Sequence, residues 1–232
     1  MIQVENLSKN YNGTVVLNVG DLKIPQGQSF GLVGNNGAGK TTLFSLLLDL
    51  IQPTTGSVKI DNIEVSKSED WKTKTSAFID ESFLIGYLTP EEYFYFIGEL
   101  RGWNKADVDA FVGDFVDFFN DEILNKKKYI RDLSKGNAKK VGIIASLIGK
   151  PEVIILDEPF ANLDPSSQFK LKKMMKQLAE DKQTTLLVSS HDLLHTVEIS
   201  NRIVVMQKGE VVKDIMTSEE TLKELETFFN QS

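Results

Sequence analysis

Eight consecutive residues constrain this chain more than any other feature: Gly34-Asn35-Asn36-Gly37-Ala38-Gly39-Lys40-Thr41 matches G-x-x-x-x-G-K-[ST] without a departure. Glycines let a backbone wrap tightly and turn its N–H groups toward one point. The run follows an apolar segment, Ser29 to Val33. It precedes a helical pattern that starts at Lys40 and puts Leu43, Leu46, Leu47 and Leu50 on one face. Strand, glycine loop and helix N-terminus together form a cradle for phosphate, because the helix end adds partial positive charge. Lys40 brings a full charge to the β- and γ-phosphates of a nucleotide, and the Thr41 hydroxyl can complete a magnesium shell. Asn35, Asn36, Ala38 and Thr42 complete the candidate binding set.

A triphosphate site also needs a second magnesium anchor and a group that activates water. Val153-Ile154-Ile155-Leu156-Asp157-Glu158 offers both. A continuous apolar run reads as a parallel strand covered on both faces. Acids that close it arrive at the carboxyl edge of the sheet, where α/β proteins bind ligands. Asp157 is the candidate for magnesium, and Glu158, which points differently, the candidate general base.

The remaining pattern agrees with an α/β chain of 232 residues. Short strands are expected at Ile2 to Val4, Val15 to Leu17 and Ser57 to Ile60. The stretch 71–119 is rich in aromatics, and Phe111, Phe115, Phe118 and Phe119 are expected to face inward at helical spacing. About Pro90 to Lys150 reads as a helical insertion, leaving 1–89 and 151–232 as the core. After Pro151, a helix capped by Asp164 with Pro165 at its first position, a strand from Thr185, and a hairpin turning at Lys208-Gly209 complete the sheet. Thr217 to Glu220 reads as a capping box for a last helix. The Lys126-Lys127-Lys128 run reads as a solvated face.

Lys plus Arg number 26 against 33 Asp plus Glu, a net charge of −7. That balance opposes a role in coating nucleic acid, where affinity comes from neutralised phosphates. With no cysteine, a disulfide scaffold, a thiolate zinc site and a cysteine nucleophile are excluded. The opening Met-Ile-Gln-Val-Glu lacks the layout of a signal peptide, and the apolar runs are too short for a membrane span. Any work at a membrane requires another chain.

Together with these motifs, Leu133-Ser134-Lys135-Gly136-Asn137 resembles the signature of the ATP-binding subunits of ABC transporters, usually LSGGQ, and the likeness covers nearly the whole chain. The resemblance implies a P-loop NTPase with a mostly parallel sheet, an N-terminal antiparallel β subdomain and the helical insertion. It implies that Ser134 and Gly136 grip the γ-phosphate bound by a second subunit. Ala161-Asn162-Leu163-Asp164 is similar to the loop that runs along that dimer interface. His191 is similar to the histidine that contacts the γ-phosphate and attacking water, and Tyr11 to the aromatic that stacks on adenine. His195 has no motif role and reads as a packing histidine. The implied activity is ATP hydrolysis with Mg²⁺, as a homo- or heterodimer, coupled to transmembrane permease subunits at the cytoplasmic face of the cell membrane. The aromatic-rich region near 78–100 is expected to pass the motion on.

Two departures stand out. The family places a glutamine after the phosphate loop, but no Gln occurs between Gln52 and Gln168, and Asp80 takes that place. A carboxylate suits magnesium and also brings a charge opposed to phosphate. Lys135 stands where the signature has glycine, a Lys–Gly pair similar to some bacterial export-type ABC ATPases. Asn137 keeps the amide with a shorter reach. Two other roles fit the same motifs: a soluble ABC-type ATPase outside transport, and a nucleotide-gated interaction protein with little turnover.

Overall fold

The computed structural model describes residues 1–231, with the side chain of Gln231 left aside. In chain order the elements are β1 (Ile2–Tyr11), β2 (Thr14–Val19), β3 (Leu22–Ile24), β4 (Ser29–Val33), α1 (Lys40–Leu47), β5 (Thr55–Ile60), β6 (Ile63–Glu64), β7 (Thr75–Phe78), α2 (Pro90–Leu100), α3 (Lys105–Gly113), α4 (Val116–Phe119), α5 (Lys135–Leu147), β8 (Val153–Leu156), α6 (Pro165–Asp181), β9 (Thr185–Ser190), α7 (Leu193–Ile199), β10 (Arg202–Gln207), β11 (Glu210–Met216) and α8 (Thr221–Gln231). Short 3₁₀ turns punctuate the connections.

Two sheets share the work. The larger has the order β11-β10-β4-β9-β8-β7. Every pair in it is parallel except the β10–β11 hairpin, which turns through Lys208 and Gly209, both at positive φ. The smaller is antiparallel and is built from β1, β2, β3, β5 and β6. Strands β4, β8 and β9 are buried along their whole length, as parallel strands covered on both faces must be. Alternate residues of β8 go to different cores. Val153 and Ile155 join Leu43, Phe44 and Leu47 of α1 and the antiparallel sheet, whereas Ile154 and Leu156 join the helices α2 to α6.

The helical region packs on this second face. Gly142 of α5 lets Phe78 of β7 approach so closely that a Cβ would lie 2.1 Å from its ring. Arg101, just after α2, donates to the carbonyls of Lys72, Thr73 and Thr75 at 2.7 to 3.0 Å. The intervening Lys74 carbonyl pairs inward with Val153, so Arg101 covers the outward-facing carbonyl of Thr75 at the start of the edge strand and two carbonyls of the turn before it. Burial pushes its pKa down from the usual guanidinium value.

Three local expectations change. Helix α1 stops at Leu47, because Asp49 takes a left-handed φ of 53°, and Leu50 is exposed. The phenylalanine run is divided between α3 and α4. Phe118 and Phe119 are buried, while Phe111 and Phe115 are partly so. Helix α8 starts at Thr221, later than a box at Thr217 to Glu220 implies, and the Ser218 N–H donates to Thr221 Oγ1 at 2.8 Å. The Asp164 cap on α6 forms as expected, accepting from Ser167 N–H at 3.0 Å.

Candidate active site

The phosphate loop leaves β4 at Gly34 and enters α1 at Gly39. Space makes these glycines obligatory: a Cβ on Gly34 would lie 2.4 Å from the Met206 carbonyl, and Gly39 has φ 102°. One loop amide is used internally, Ala38 N–H to Asn35 O at 3.0 Å, and Gly209 N–H braces the loop at Ala38 O, 2.9 Å away. No side chain caps α1, and its first turn holds no acid. Asn35 and Asn36 are exposed. The β1–β2 hairpin flanks the loop, since Val16 O would meet a Cβ on Gly39 at 3.3 Å. At the end of this hairpin stands Tyr11, half exposed, with Lys9 Nζ 4.8 Å from its ring centre.

Lys40 is 6% exposed. Its ammonium donates to Gly34 O at 2.6 Å and pairs with Glu158 Oε1 at 3.2 Å. Thr41 Oγ1 donates to Asp157 Oδ2, and Ser189 Oγ donates to Asp157 Oδ1. Burial pushes the Asp157 carboxyl up, opposed by those two hydrogen bonds and by Lys40. Glu158 takes a left-handed φ of 46°, held by its own N–H on Ser189 Oγ at 3.0 Å. This turn aims the side chain away from Asp157, at Lys40 on one oxygen and at His191 on the other. His191 Nδ1 lies 2.7 Å from Glu158 Oε2. An ionised carboxylate only accepts, so Nδ1 is the donor in this contact.

The structure thus gathers Gly34 to Thr42, Asp157, Glu158 and His191 at one sheet edge. It places other candidates elsewhere. Asp80 is exposed and caps a 3₁₀ turn, its Oδ1 accepting from Ser82 N–H at 2.8 Å; hydrogen bonds from Ser82 hold its pKa below the usual value. Ser134 caps α5, accepting from Asn137 N–H at 3.2 Å. The Asn137 amide donates to Glu122 at 3.0 Å. Gly136 lies against the Asn162 carbonyl, where a Cβ would come within 2.8 Å. Lys135 sits in the first turn of α5 and is absent from the positive-φ positions, so the freedom of a glycine is not required there. His195 stacks on Phe160 at 4.7 Å between ring centres, the packing role expected of it.

Sequence reasoning missed Ser189 and Lys139. Ser189 bridges Asp157 to the Glu158 backbone, and the only hint was a pair of serines closing a buried strand. Lys139, 5% exposed, donates to Glu158 O at 2.9 Å; its hint was a lysine on the inner face of a helix.

The donor set fits magnesium. Among the described residues, no three His, Cys, Asp or Glu side chains converge as a metal cage. One carboxylate and one hydroxyl are what magnesium accepts when phosphates and water supply the rest. A glycine loop at a helix start, with its lysine and threonine against the acids that close a neighbouring strand, defines a P-loop nucleoside triphosphatase.

Comparison narrows the class. Residues 17–161 match the ABC transporter family. The bacitracin transport ATP-binding protein BcrA of Enterococcus faecalis is 33% identical over 221 residues, spanning 94% of this chain and 70% of that protein. The choline transport ATP-binding protein OpuBA of Bacillus subtilis is 28% identical over 217 residues, spanning 92% of this chain and 57% of that protein. A dimeric structure of MJ0796, a bacterial ABC transporter cassette, superposes with a TM-score of 0.83 at 24% identity, covering 94% of this chain and 99% of that one. The chain belongs to the ABC transporter family, as an ATP-binding subunit that hydrolyses ATP.

Proposed function

We propose that this subunit binds ATP with magnesium between its own Gly34–Thr42 and the Ser134 and Gly136 of a second ABC ATPase subunit, and that hydrolysis drives permease subunits in a membrane. One observation carries the reading: the Thr41–Asp157 hydrogen bond joins two motifs 116 residues apart at a single sheet edge.

The residues divide the task. Lys40 exchanges its hold on Glu158 for the β- and γ-phosphates, the loop amides accept the same charge, and Tyr11 stacks on the adenine. Released from Lys40, Glu158 takes the proton of the attacking water, with His191 fixing the direction of its carboxylate. The chemistry a magnesium ion would supply there is electrostatic stabilisation of the transferring phosphoryl group. Thr41 and Asp157 would hold the ion. Asp80 is the proposed further donor and would have to leave the Ser82 amide to join them. Positioning and electrostatics supply the catalysis, since the protein forms no covalent bond to the phosphate.

We divide the chain into a core of 1–89 with 151–232 and a helical subdomain over about 90–150. Between them, beside β7, lies a groove of about 730 Å³ lined by Phe78, Ile79, Phe83, Leu84, Tyr93 and Ile97 among others. We assign it to the permease. Among the described residues no helix is long and apolar enough to cross a membrane, and attachment at the cytoplasmic face through the permease is part of the proposal. We assign the subunit to the export type on the Lys135-Gly136 pair alone. The net charge of −7 speaks against nucleic acid as a partner.

The test is affinity purification of Glu158→Gln from gently solubilised membranes, with and without ATP. The expected result is a polytopic membrane protein retained with ATP, together with turnover lowered about 100-fold or more. A soluble assembly with no membrane chain would overturn the transport role.

A further inference from the structure

Among the buried groups that the chemistry above leaves unused, Lys139 has the most telling surroundings. It lies on the inner face of α5, one turn after Ser134–Gly136. The next lysine, Lys140, turns elsewhere, toward Asp164 at 3.7 Å and the Phe118 ring. Lys139 instead reaches two segments far apart in sequence. Its ammonium donates to the Glu158 carbonyl at 2.9 Å and stands 3.6 Å from Glu81 Oε1. That Glu81 oxygen is buried without a hydrogen-bond partner, so the lysine is the positive group it faces.

Both ends of the link matter. Glu158 sits at a left-handed φ, a conformation that is strained for a residue with a side chain and persists only where its surroundings hold it. Ser189 holds the amide side of that turn, and Lys139 holds the carbonyl side. Glu81 belongs to the turn between Asp80 and Phe83, and Phe83 and Leu84 line the groove beside β7. The path from groove wall to the carboxylate of Glu158 therefore runs through one buried ammonium.

We propose that Lys139 is a positioning residue for ATP hydrolysis, which ties the angle of Glu158 to the place of Glu81 and so makes turnover respond to whatever occupies the groove. This inference rests on Glu158 as the base. It locates the sensor in Glu81–Lys139 and not at Asp80, whose carboxylate is engaged by Ser82. Displacing Glu81 should change the rate of the chemical step and leave ATP binding almost intact.

The test uses the full chain with Lys139→Met, Lys139→Arg, Glu81→Gln, the Lys139→Met/Glu81→Gln double variant and Glu158→Gln. Turnover and mant-ATP affinity are measured separately, with hydrogen exchange of the 156–162 segment. For Lys139→Met we expect turnover to fall about 10- to 100-fold, the penalty for a reacting group displaced by a fraction of an ångström, while mant-ATP affinity changes less than about twofold by the same argument. Glu81→Gln should move in the same direction by less, the double variant should match Lys139→Met, and Lys139→Arg should recover most of the loss. Exchange in 156–162 should quicken, with that in β4 unchanged. Wild-type turnover and exchange in Lys139→Met overturn the inference. So does a parallel loss of affinity and melting temperature, which would mark a packing role. Wild-type turnover in Glu158→Gln would instead overturn the underlying base assignment, whatever Lys139 does.

Discussion

Helices α1 and α5 begin alike and end up opposite. Among the described residues they are the two helices with no acid at the cap or in the first turn. An acid there would satisfy the helix end and repel an anion, so at these two starts the helix itself sets no carboxylate against a phosphate. Yet α1 starts from a left-handed glycine with no side-chain cap, whereas α5 is closed by its own Ser134. The open end offers its N–H groups with no capping side chain to displace. The self-capped end has one N–H already taken by Ser134 Oγ, whose own O–H stays available to donate to a phosphate. The difference fits the order of events proposed here, in which a nucleotide settles on α1 before a second subunit brings its α5 to the same phosphate.

The comparison breaks most completely at Lys40. In Lys40→Ala the open end loses its one full charge, and turnover should fall about 100-fold or more, the cost of a lost electrostatic donor. Phosphate release assays on purified protein read this directly, and activity within a few fold of wild type would mean that the loop amides suffice.

Ser134 sharpens the contrast, because capping and ligand contact can be separated there. Ser134→Ala should lose about 1 kcal/mol of cap energy, or about 2–4 °C in melting temperature for a chain of this size. Ser134→Asp should keep the cap and the melting temperature. It sets a carboxylate against phosphate, so ATP-driven dimerisation in the Glu158→Gln background should weaken by at least about tenfold. Light scattering or sedimentation with ATP would check both, and an undiminished dimer in Ser134→Asp would remove α5 from the nucleotide site.

Gly136→Ala gives an effect of similar size, read in stability alone. The added methyl meets the Asn162 carbonyl at 2.8 Å, an overpacking that costs about 1–3 kcal/mol unless that loop yields. Chemical denaturation measures it.

The smallest expected effect comes from a helix start that does carry an acid. Hydrogen bonds from Ser167 hold the Asp164 carboxyl below its ordinary value of 3.8. A folded-state pKa lowered in this way adds stability above the unfolded value, lost as pH falls through the folded one. Asp164→Asn should therefore be less stable at neutral pH, and the gap should shrink as pH falls below about 4, where the unfolded carboxyl protonates, and on through the lower folded-state value. Melting curves across that range settle the sign.

Much of the active site was legible in the sequence for a physical reason. The cradle for phosphate is one uninterrupted turn of backbone, so its glycines, lysine and threonine stand side by side in the chain. The acids of β8 announce themselves as the end of an apolar strand. Ser189 and Lys139 were not legible, because each acts on a partner 31 or 19 residues away and a lone serine or lysine carries no pattern. The end of α1 was misjudged because leucine spacing continues to Leu50, while the left-handed turn at Asp49 ends the helix. The sequence offered Ser134 as a phosphate contact by resemblance, and the structure shows it capping α5. What that cap leaves for a ligand could be seen only beside α1.

Arg101 has a consequence for the crowded state. The outer margin of a parallel sheet is a template on which strands of other molecules can assemble. Here three carbonyls at and just before β7 are taken by one guanidinium from the helical region. The side chain that fastens the helices to the sheet thereby also stops one molecule's sheet from growing into the next.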